Sequence, residues 1–200
     1  AAISVLTHAG YRVNVAGASA GERPLCCGRT FLAAGLVDEA RAEATRTRGA
    51  LAPHIEAGTP IVGLEPSCLL TLRDEFTAML PGAETEALAE KAMLFEEFIA
   101  MEMEAGRFEL DFTEIDRKRA LLHGHCHQKA FAVMGSVEKV LRQVPGLEVD
   151  TVTSSCCGMA GAFGYQAETY DVSMKMAEAS LLPAVREADT ETIVVANGTS

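Results

Sequence analysis

The sequence has no tryptophan, and Phe, Tyr and Trp together make up only 6% of its 200 residues. It has no apolar run long enough to cross a bilayer and no visible signal peptide, so neither a membrane span nor secretion is predicted. Basic residues are also fewer than acidic ones: the sequence has 17 Lys and Arg, 28 Asp and Glu, and a net charge of −11. A nucleic-acid partner is therefore not expected, because phosphate backbones attract cationic surfaces.

The two ends of the sequence are unusual. No initiator methionine precedes Ala1, and the first residues have the apolar spacing of a helix interior. At the other end, a strand-like run over 192–196 is followed by only four more residues. These features predict a fragment of a longer protein.

Cysteine follows a pattern that ordinary core positions would not produce. The sequence has six cysteines, arranged as two Cys-Cys-Gly triplets and two single residues: Cys26, Cys27, Cys68, Cys126, Cys156 and Cys157. Adjacent cysteines rarely pair with each other, and a 200-residue core does not need disulfides, so reduced thiols in the cytoplasm are predicted. Grouped thiols are the ligands that soft metals and iron–sulfur clusters require, although two buried small side chains are the alternative for each pair.

An internal repeat organises the chain. Val5-Leu6 matches Val140-Leu141, an offset of 135 positions (140 − 5). Each copy then continues with a strand, a Cys-Cys-Gly triplet, helices and a second strand. This alternation predicts an α/β fold of two pseudo-symmetric repeats, each a small parallel sheet flanked by helices. The predicted domains are a first repeat over 1–81, a helical connection over 82–115 and a second repeat over 116–200.

Sequence periodicity also predicts the individual elements. Strands are expected at 11–16, 61–64, 118–122, 147–153 and 192–196, and helices at 38–57, 68–80, 84–105, 128–143 and 165–187. Each cysteine group follows a predicted strand, and the carboxyl ends of parallel strands meet at one edge of a sheet. We therefore expect Cys126, Cys156 and Cys157 to converge.

The repeat also predicts ligands outside this sequence. Its symmetry places one further cysteine before Ala1 and one after Ser200. A site that lacks a ligand holds a cluster poorly, so this chain alone is expected to be empty or to carry an adventitious metal.

Residues next to the cysteines have two interpretations each. The glycine after each pair can adopt a positive φ and would let the backbone approach a cluster sulfide closely. His123, His125 and His127 alternate and either assist a metal or make local hydrogen bonds. Arg29 and Lys129 follow the thiols and either lower their pKa, neutralise a cluster or are simply exposed. Glu65 is expected to bond a backbone N–H at the Pro66-Ser67 turn. No residue is assigned a catalytic role.

These motifs resemble the cysteine-rich CCG domain family. The residues that carry the resemblance are Cys26-Cys27-Gly28, Glu65-Pro66-Ser67-Cys68, His123-Gly124-His125-Cys126-His127-Gln128-Lys129 and Ser155-Cys156-Cys157-Gly158-Met159-Ala160-Gly161. The family includes the B subunit of heterodisulfide reductase, the C subunit of the anaerobic glycerol-3-phosphate dehydrogenase and the iron–sulfur subunit of glycolate oxidase. The chain is most similar to the carboxyl-terminal part of single-chain FAD-linked oxidases.

The resemblance implies a cofactor and partners. All six cysteines would bind a [4Fe–4S] cluster, with zinc as the alternative. FAD would lie on another domain, and a ferredoxin-like segment and an external electron acceptor would be the other partners. The implied substrate is a 2-hydroxy acid of the D-lactate, glycolate or 2-hydroxyglutarate type. The chain departs from the heterodisulfide pattern, because Leu69, Leu70 and Thr71 follow Cys68 where that pattern has a further Cys-x-x-Cys.

Three functions remain open from the sequence. The first is an iron–sulfur electron-transfer module of a flavin oxidoreductase. The second is a zinc-stabilised structural or docking domain, in which three thiols and a histidine would complete a tetrahedral site. The third is a thiol–disulfide reductase site.

Overall fold

The computed structural model describes residues 1–154 and 156–198. They form two compact units, Ala1–Phe98 and Ile99–Ser200. The division falls inside the segment 82–115 that the sequence predicts to be a connection. Each unit contains its own parallel sheet flanked by helices, so the predicted α/β class is confirmed. None of the helices in the described ranges is long and apolar enough to span a membrane.

The first unit has a sheet of two parallel strands. These are β1 (Ile61–Gly63) and β2 (Ala92–Leu94), with Ile61 opposite Ala92. Its helices are α1 (Ala2–His8), α2 (Arg29–Ala33), α3 (Val37–Glu56), α4 (Pro66–Arg73), α5 (Glu75–Met79) and α6 (Ala83–Lys91), and α7 (Phe95–Glu104) begins in it. The core is formed where apolar faces of these helices meet, and its fully buried members include Ala40, Ala44, Leu70, Phe76 and Leu88.

Three expectations for the first unit are wrong. Segment 11–16 is not a strand, because it pairs with neither strand of this unit's two-stranded sheet. The predicted helix 84–105 is interrupted by β2, because β1 needs a hydrogen-bonding partner and the apolar run Ala92-Met93-Leu94 supplies one. The predicted helix 68–80 starts earlier, at Pro66, and breaks at Asp74, whose φ of −124° and ψ of −81° are not helical.

The second unit has a three-stranded parallel sheet in the order β4-β3-β5. The strands are β3 (Arg119–His123), β4 (Glu148–Thr151) and β5 (Ile193–Ala196). The helices are α8 (Cys126–Ala130), α9 (Met134–Leu141), α10 (Tyr170–Glu178) and α11 (Leu181–Glu187), with short 3-10 turns at Phe163–Tyr165 and Ala167–Thr169. The central strand is the most buried, with Ala120 and Leu122 almost fully shielded from solvent.

The predicted helices of the second unit are also divided. The stretch 128–143 is two helices, because Ala132 has a φ of 56° and ends the α-helical path between α8 and α9. The stretch 165–187 starts with the 3-10 turns and breaks at Ser180, whose φ of −159° is extended. Helical periodicity found the apolar faces but did not locate these breaks.

Candidate cysteine centres

The first Cys-Cys-Gly triplet lies in a loop that helix α3 holds in place. Thr47 Oγ1 donates a hydrogen bond of 2.8 Å to the carbonyl of Cys26. The preceding residue on α3, Arg46, donates to the carbonyls of Arg23 and Pro24 at 2.9 and 2.6 Å. Glu43, which is 1% exposed, accepts from Arg46 at 2.7 Å and also pairs with Arg23. Sequence reasoning missed these supports, since nothing local marks them as partners of a loop about twenty residues earlier.

The two triplets share a local geometry. Gly28 and Gly158 have φ values of 78° and 89°, as the sequence predicts. Their N–H groups donate to the thiol sulfurs of Cys26 and Cys156, at 3.4 and 3.3 Å. A helix backbone packs against each glycine, so that a Cβ would lie 2.9 Å from the Ala40 carbonyl oxygen in the first unit and 2.2 Å from that of Ser173 in the second. Only glycine fits both requirements at these positions.

The single cysteines lie in the first turns of helices that follow strands. Cys68 lies in α4, whose start is capped by Glu65, which accepts a 2.8 Å hydrogen bond from the Ser67 hydroxyl and a longer one from the Ser67 N–H. Cys126 is the first residue of α8. Both residues are more exposed than the four paired cysteines, although their sulfur atoms are partly shielded from solvent. The expected hydrogen bond from the backbone to Glu65 is present.

The histidines around Cys126 have local structural roles. His125 Nδ1 accepts a 3.1 Å hydrogen bond from the His127 N–H. The His125 side chain also accepts from the Gln128 N–H while Gln128 Oε1 accepts one of 3.1 Å from the His125 N–H, and these two reciprocal bonds form a capping box. The His125 and His127 rings stack with centroids 5.1 Å apart. These contacts account for His125 without a metal.

In the first unit the structure brings thiols from two segments together. The Cys27 thiol donates a hydrogen bond to Cys68, which lowers the pKa of Cys68 to about 7. The same hydrogen bond, together with burial, raises the pKa of Cys27. Because Cys26 also interacts with Cys68, all three thiols of the unit are close enough to influence one another. Cys68 is thus the member of the hydrogen-bonded pair that ionises first.

The second unit repeats this convergence. Burial raises the pKa of the Cys126 thiol, and the neighbouring Cys156 and Cys157 raise it further, in part through a hydrogen bond with Cys156. The Lys129 charge acts in the opposite direction. Cys126 follows β3 and the pair follows β4, so the pairing of these two strands places the three cysteines at one sheet edge.

The donor set fits a thiolate-ligated group. Each unit offers three thiols, and a [4Fe–4S] cluster takes four cysteine thiolates, so one ligand per cluster would come from elsewhere. The second unit also buries two amide donors, Gln128 Nε2 and Asn197 Nδ2, without a hydrogen-bond acceptor among the described residues. Such donors suit the sulfur atoms of a cluster. Within residues 1–154 and 156–198, no three His, Cys, Asp or Glu side chains are arranged around a single metal ion.

Comparisons with known proteins give the family context. Residues 120–199 match the cysteine-rich domain family, CCG. The chain is 26% identical over 170 residues to the C subunit of the anaerobic glycerol-3-phosphate dehydrogenase of Escherichia coli K12, a match that covers 84% of the chain and 42% of that protein. It is 31% identical over 175 residues to the D-2-hydroxyglutarate dehydrogenase of Pseudomonas putida, a match that covers 86% of the chain and 16% of that protein. The chain thus spans less than half of either relative, and no solved structure matches it significantly.

Proposed function

We propose that this chain, whose residues 120–199 belong to the cysteine-rich domain family, is an electron-transfer module of a dehydrogenase. The observation that carries the proposal is the gathering of three thiols from two separate segments in each unit. Thiols brought together from distant parts of a chain are ready to bind a thiolate-ligated redox group, and in the first unit Cys68 is already prone to ionise. The relatives, two kinds of dehydrogenase, favour the same class of function.

The residues of each unit have distinct tasks in this proposal. Cys26, Cys27 and Cys68 would hold one iron–sulfur cluster, and Cys126, Cys156 and Cys157 would hold a second. A bound [4Fe–4S] cluster would supply one-electron transfer. The N–H groups of Gly28 and Gly158, which face sulfur in the structure, stabilise negative charge on the thiolates.

The rest of the redox chain would lie outside these two units. We propose that a flavin domain carrying FAD oxidises a 2-hydroxy acid and that a ferredoxin-like segment passes electrons to this module. An external acceptor would then be reduced in the cytoplasm. The proposed substrate class follows from similarity to D-2-hydroxyglutarate dehydrogenases, whereas glycerol 3-phosphate is the substrate named for the other relative.

Anaerobic analysis of the intact protein tests the proposal. We expect iron and acid-labile sulfide in equal amounts, with visible absorption that bleaches on reduction. Cys156→Ser and Cys157→Ser should abolish reduction of the external acceptor and leave flavin reduction by substrate intact. Ala179→Ser, at an exposed position of the same unit, is the matched control. A colourless protein with one zinc, or full acceptor turnover in the cysteine variants, would contradict the proposal.

A thiol–disulfide site is the second candidate, favoured by the direct contact between Cys27 and Cys68. The Cys68 thiolate would attack a substrate disulfide and release one thiolate, and Cys27 would then displace the second, leaving a Cys27–Cys68 disulfide. Two electrons and two protons from the dehydrogenase partner would restore the dithiol. Incubation with glutathione disulfide under anaerobic conditions, followed by mass spectrometry, tests this candidate. Failure to trap a Cys27–Cys68 disulfide would exclude it.

A further inference from the structure

We infer that Lys129 is a positioning residue of the second unit. Its ammonium group ties the segment that carries Cys156 and Cys157 to helix α8, which carries Cys126, and it raises the reduction potential of a cluster bound by these cysteines. The part of the inference that concerns potential rests on the proposed function, whereas the tie between the segments does not.

The tie is a direct pair of hydrogen bonds. Lys129 lies on α8, three residues after Cys126, and its Nζ donates to the Ser154 carbonyl oxygen at 2.7 Å and to the Ser154 hydroxyl at 3.0 Å. Regular pairing of β3 with β4 ends at Leu122 and Thr151, with one further hydrogen bond from the Val152 N–H to Leu122. The contact with Ser154 therefore joins the two cysteine-bearing segments beyond the end of the sheet.

Ser154 extends this contact to the end of β3. Its hydroxyl oxygen lies 2.9 Å from Nδ1 of His123, which is 6% exposed. Because the hydroxyl accepts from Lys129, its own proton is available for Nδ1 of a neutral imidazole. Burial lowers the His123 pKa, and the Lys129 charge lowers it further, so this arrangement favours the neutral ring. Lysine, serine and histidine thus link α8, the segment after β4 and the end of β3.

The first unit has a related cation beside its Cys-Cys-Gly triplet. Arg29, next to Gly28, donates to the Thr71 hydroxyl at 3.3 Å and pairs with the Glu75 carboxylate at 2.5 Å. Arg29 thereby links the first Cys-Cys-Gly triplet to helix α4, which contains Cys68, and to helix α5. There the Glu75 carboxylate lies against the cation.

The position of the Lys129 charge implies an effect on potential. Lys129 lies on the same short helix as Cys126, and its Nζ contacts Ser154, two residues before Cys156, so the charge lies beside the centre. A cluster becomes more negative when it is reduced, and a nearby cation stabilises that state. Removing the cation should therefore make the cluster harder to reduce.

Redox titration of the intact protein, with the first-unit cysteines replaced by serine, measures this effect. Lys129→Met should shift the equilibrium toward the oxidised cluster by about tenfold, which corresponds to a potential about 59 mV lower for a one-electron couple. Lys129→Arg should restore most of the potential because it retains the charge. Lys139→Met is the matched control, since Lys139 pairs with Glu104 on an exposed part of the same unit, and it should behave as wild type.

A second measurement needs no cluster. In metal-free protein with Cys126 and Cys156 as the only cysteines, dibromobimane should cross-link the two thiols, and Lys129→Met should reduce the yield several-fold while Lys139→Met does not. An unchanged yield together with an unchanged potential would overturn the inference. If the wild-type protein binds no iron and sulfide, the proposed function fails instead, and the cross-linking yield alone decides the positioning role.

Discussion

Gly158 offers the sharpest test of how the second triplet is built. The Gly158→Ala variant would place a Cβ 2.2 Å from the Ser173 carbonyl oxygen at a φ of 89°. A left-handed conformation costs a residue with a Cβ roughly 1–2 kcal/mol. Displacing a packed helix backbone adds roughly 1–3 kcal/mol, as overpacking of a core does. The free energy of unfolding should therefore fall by about 2–5 kcal/mol.

A second glycine in the same loop separates the two contributions. Gly161 also has a positive φ, 66°, but nothing lies within 4 Å of its would-be Cβ. Gly161→Ala should cost only the conformational part, about 1–2 kcal/mol. Urea unfolding of both variants followed by circular dichroism measures the difference. Equal losses for the two would refute the argument that the close approach of α10 requires glycine at position 158.

Three further predictions concern the first unit. Glu43→Gln should lower the free energy of unfolding by about 1–3 kcal/mol, because it leaves Arg46 without its buried carboxylate. Asp38→Asn is the control, since Asp38 forms an exposed ion pair with Arg41, and in urea unfolding it should cost less than about 0.5 kcal/mol. In metal-free protein, the rate of Cys68 alkylation by iodoacetamide should rise with pH around a midpoint of about 7. Cys27→Ala should move that midpoint upward, because it removes the hydrogen bond that stabilises the Cys68 thiolate. Mass spectrometry of the alkylated protein over a range of pH measures the midpoint, and an unchanged midpoint in the variant would contradict the prediction. Thr47→Val should lower the free energy of unfolding by about 1 kcal/mol, because it removes the hydrogen bond to the Cys26 carbonyl. The variant should also lose bound iron to a chelator faster than the wild type. Equal rates of iron loss would mean that α3 does not hold the loop that carries Cys26 and Cys27.

The sequence alone was enough to predict the fold class and the similarity of residues 120–199 to the cysteine-rich domain family. Strand–helix alternation predicts small parallel sheets with flanking helices, because parallel strands need helical crossovers, and the structure has two such sheets. The repeated Cys-Cys-Gly triplet also predicted the positive φ of Gly28 and Gly158. These features depend on local chemistry and on spacing along the chain, both of which a sequence displays directly.

Tertiary structure decided which elements form and what surrounds the thiols. Segment 11–16 has the composition of a strand, yet a strand needs a neighbour to satisfy its backbone hydrogen bonds, and this segment pairs with neither β1 nor β2. Residues 92–94 have a helical pattern, yet they form β2 because they lie beside β1. Likewise, Thr47 and Ser154 have no local motif that marks them as supports of the cysteine segments. Their roles arise from contacts between residues distant in sequence, and such contacts exist only once the chain has packed.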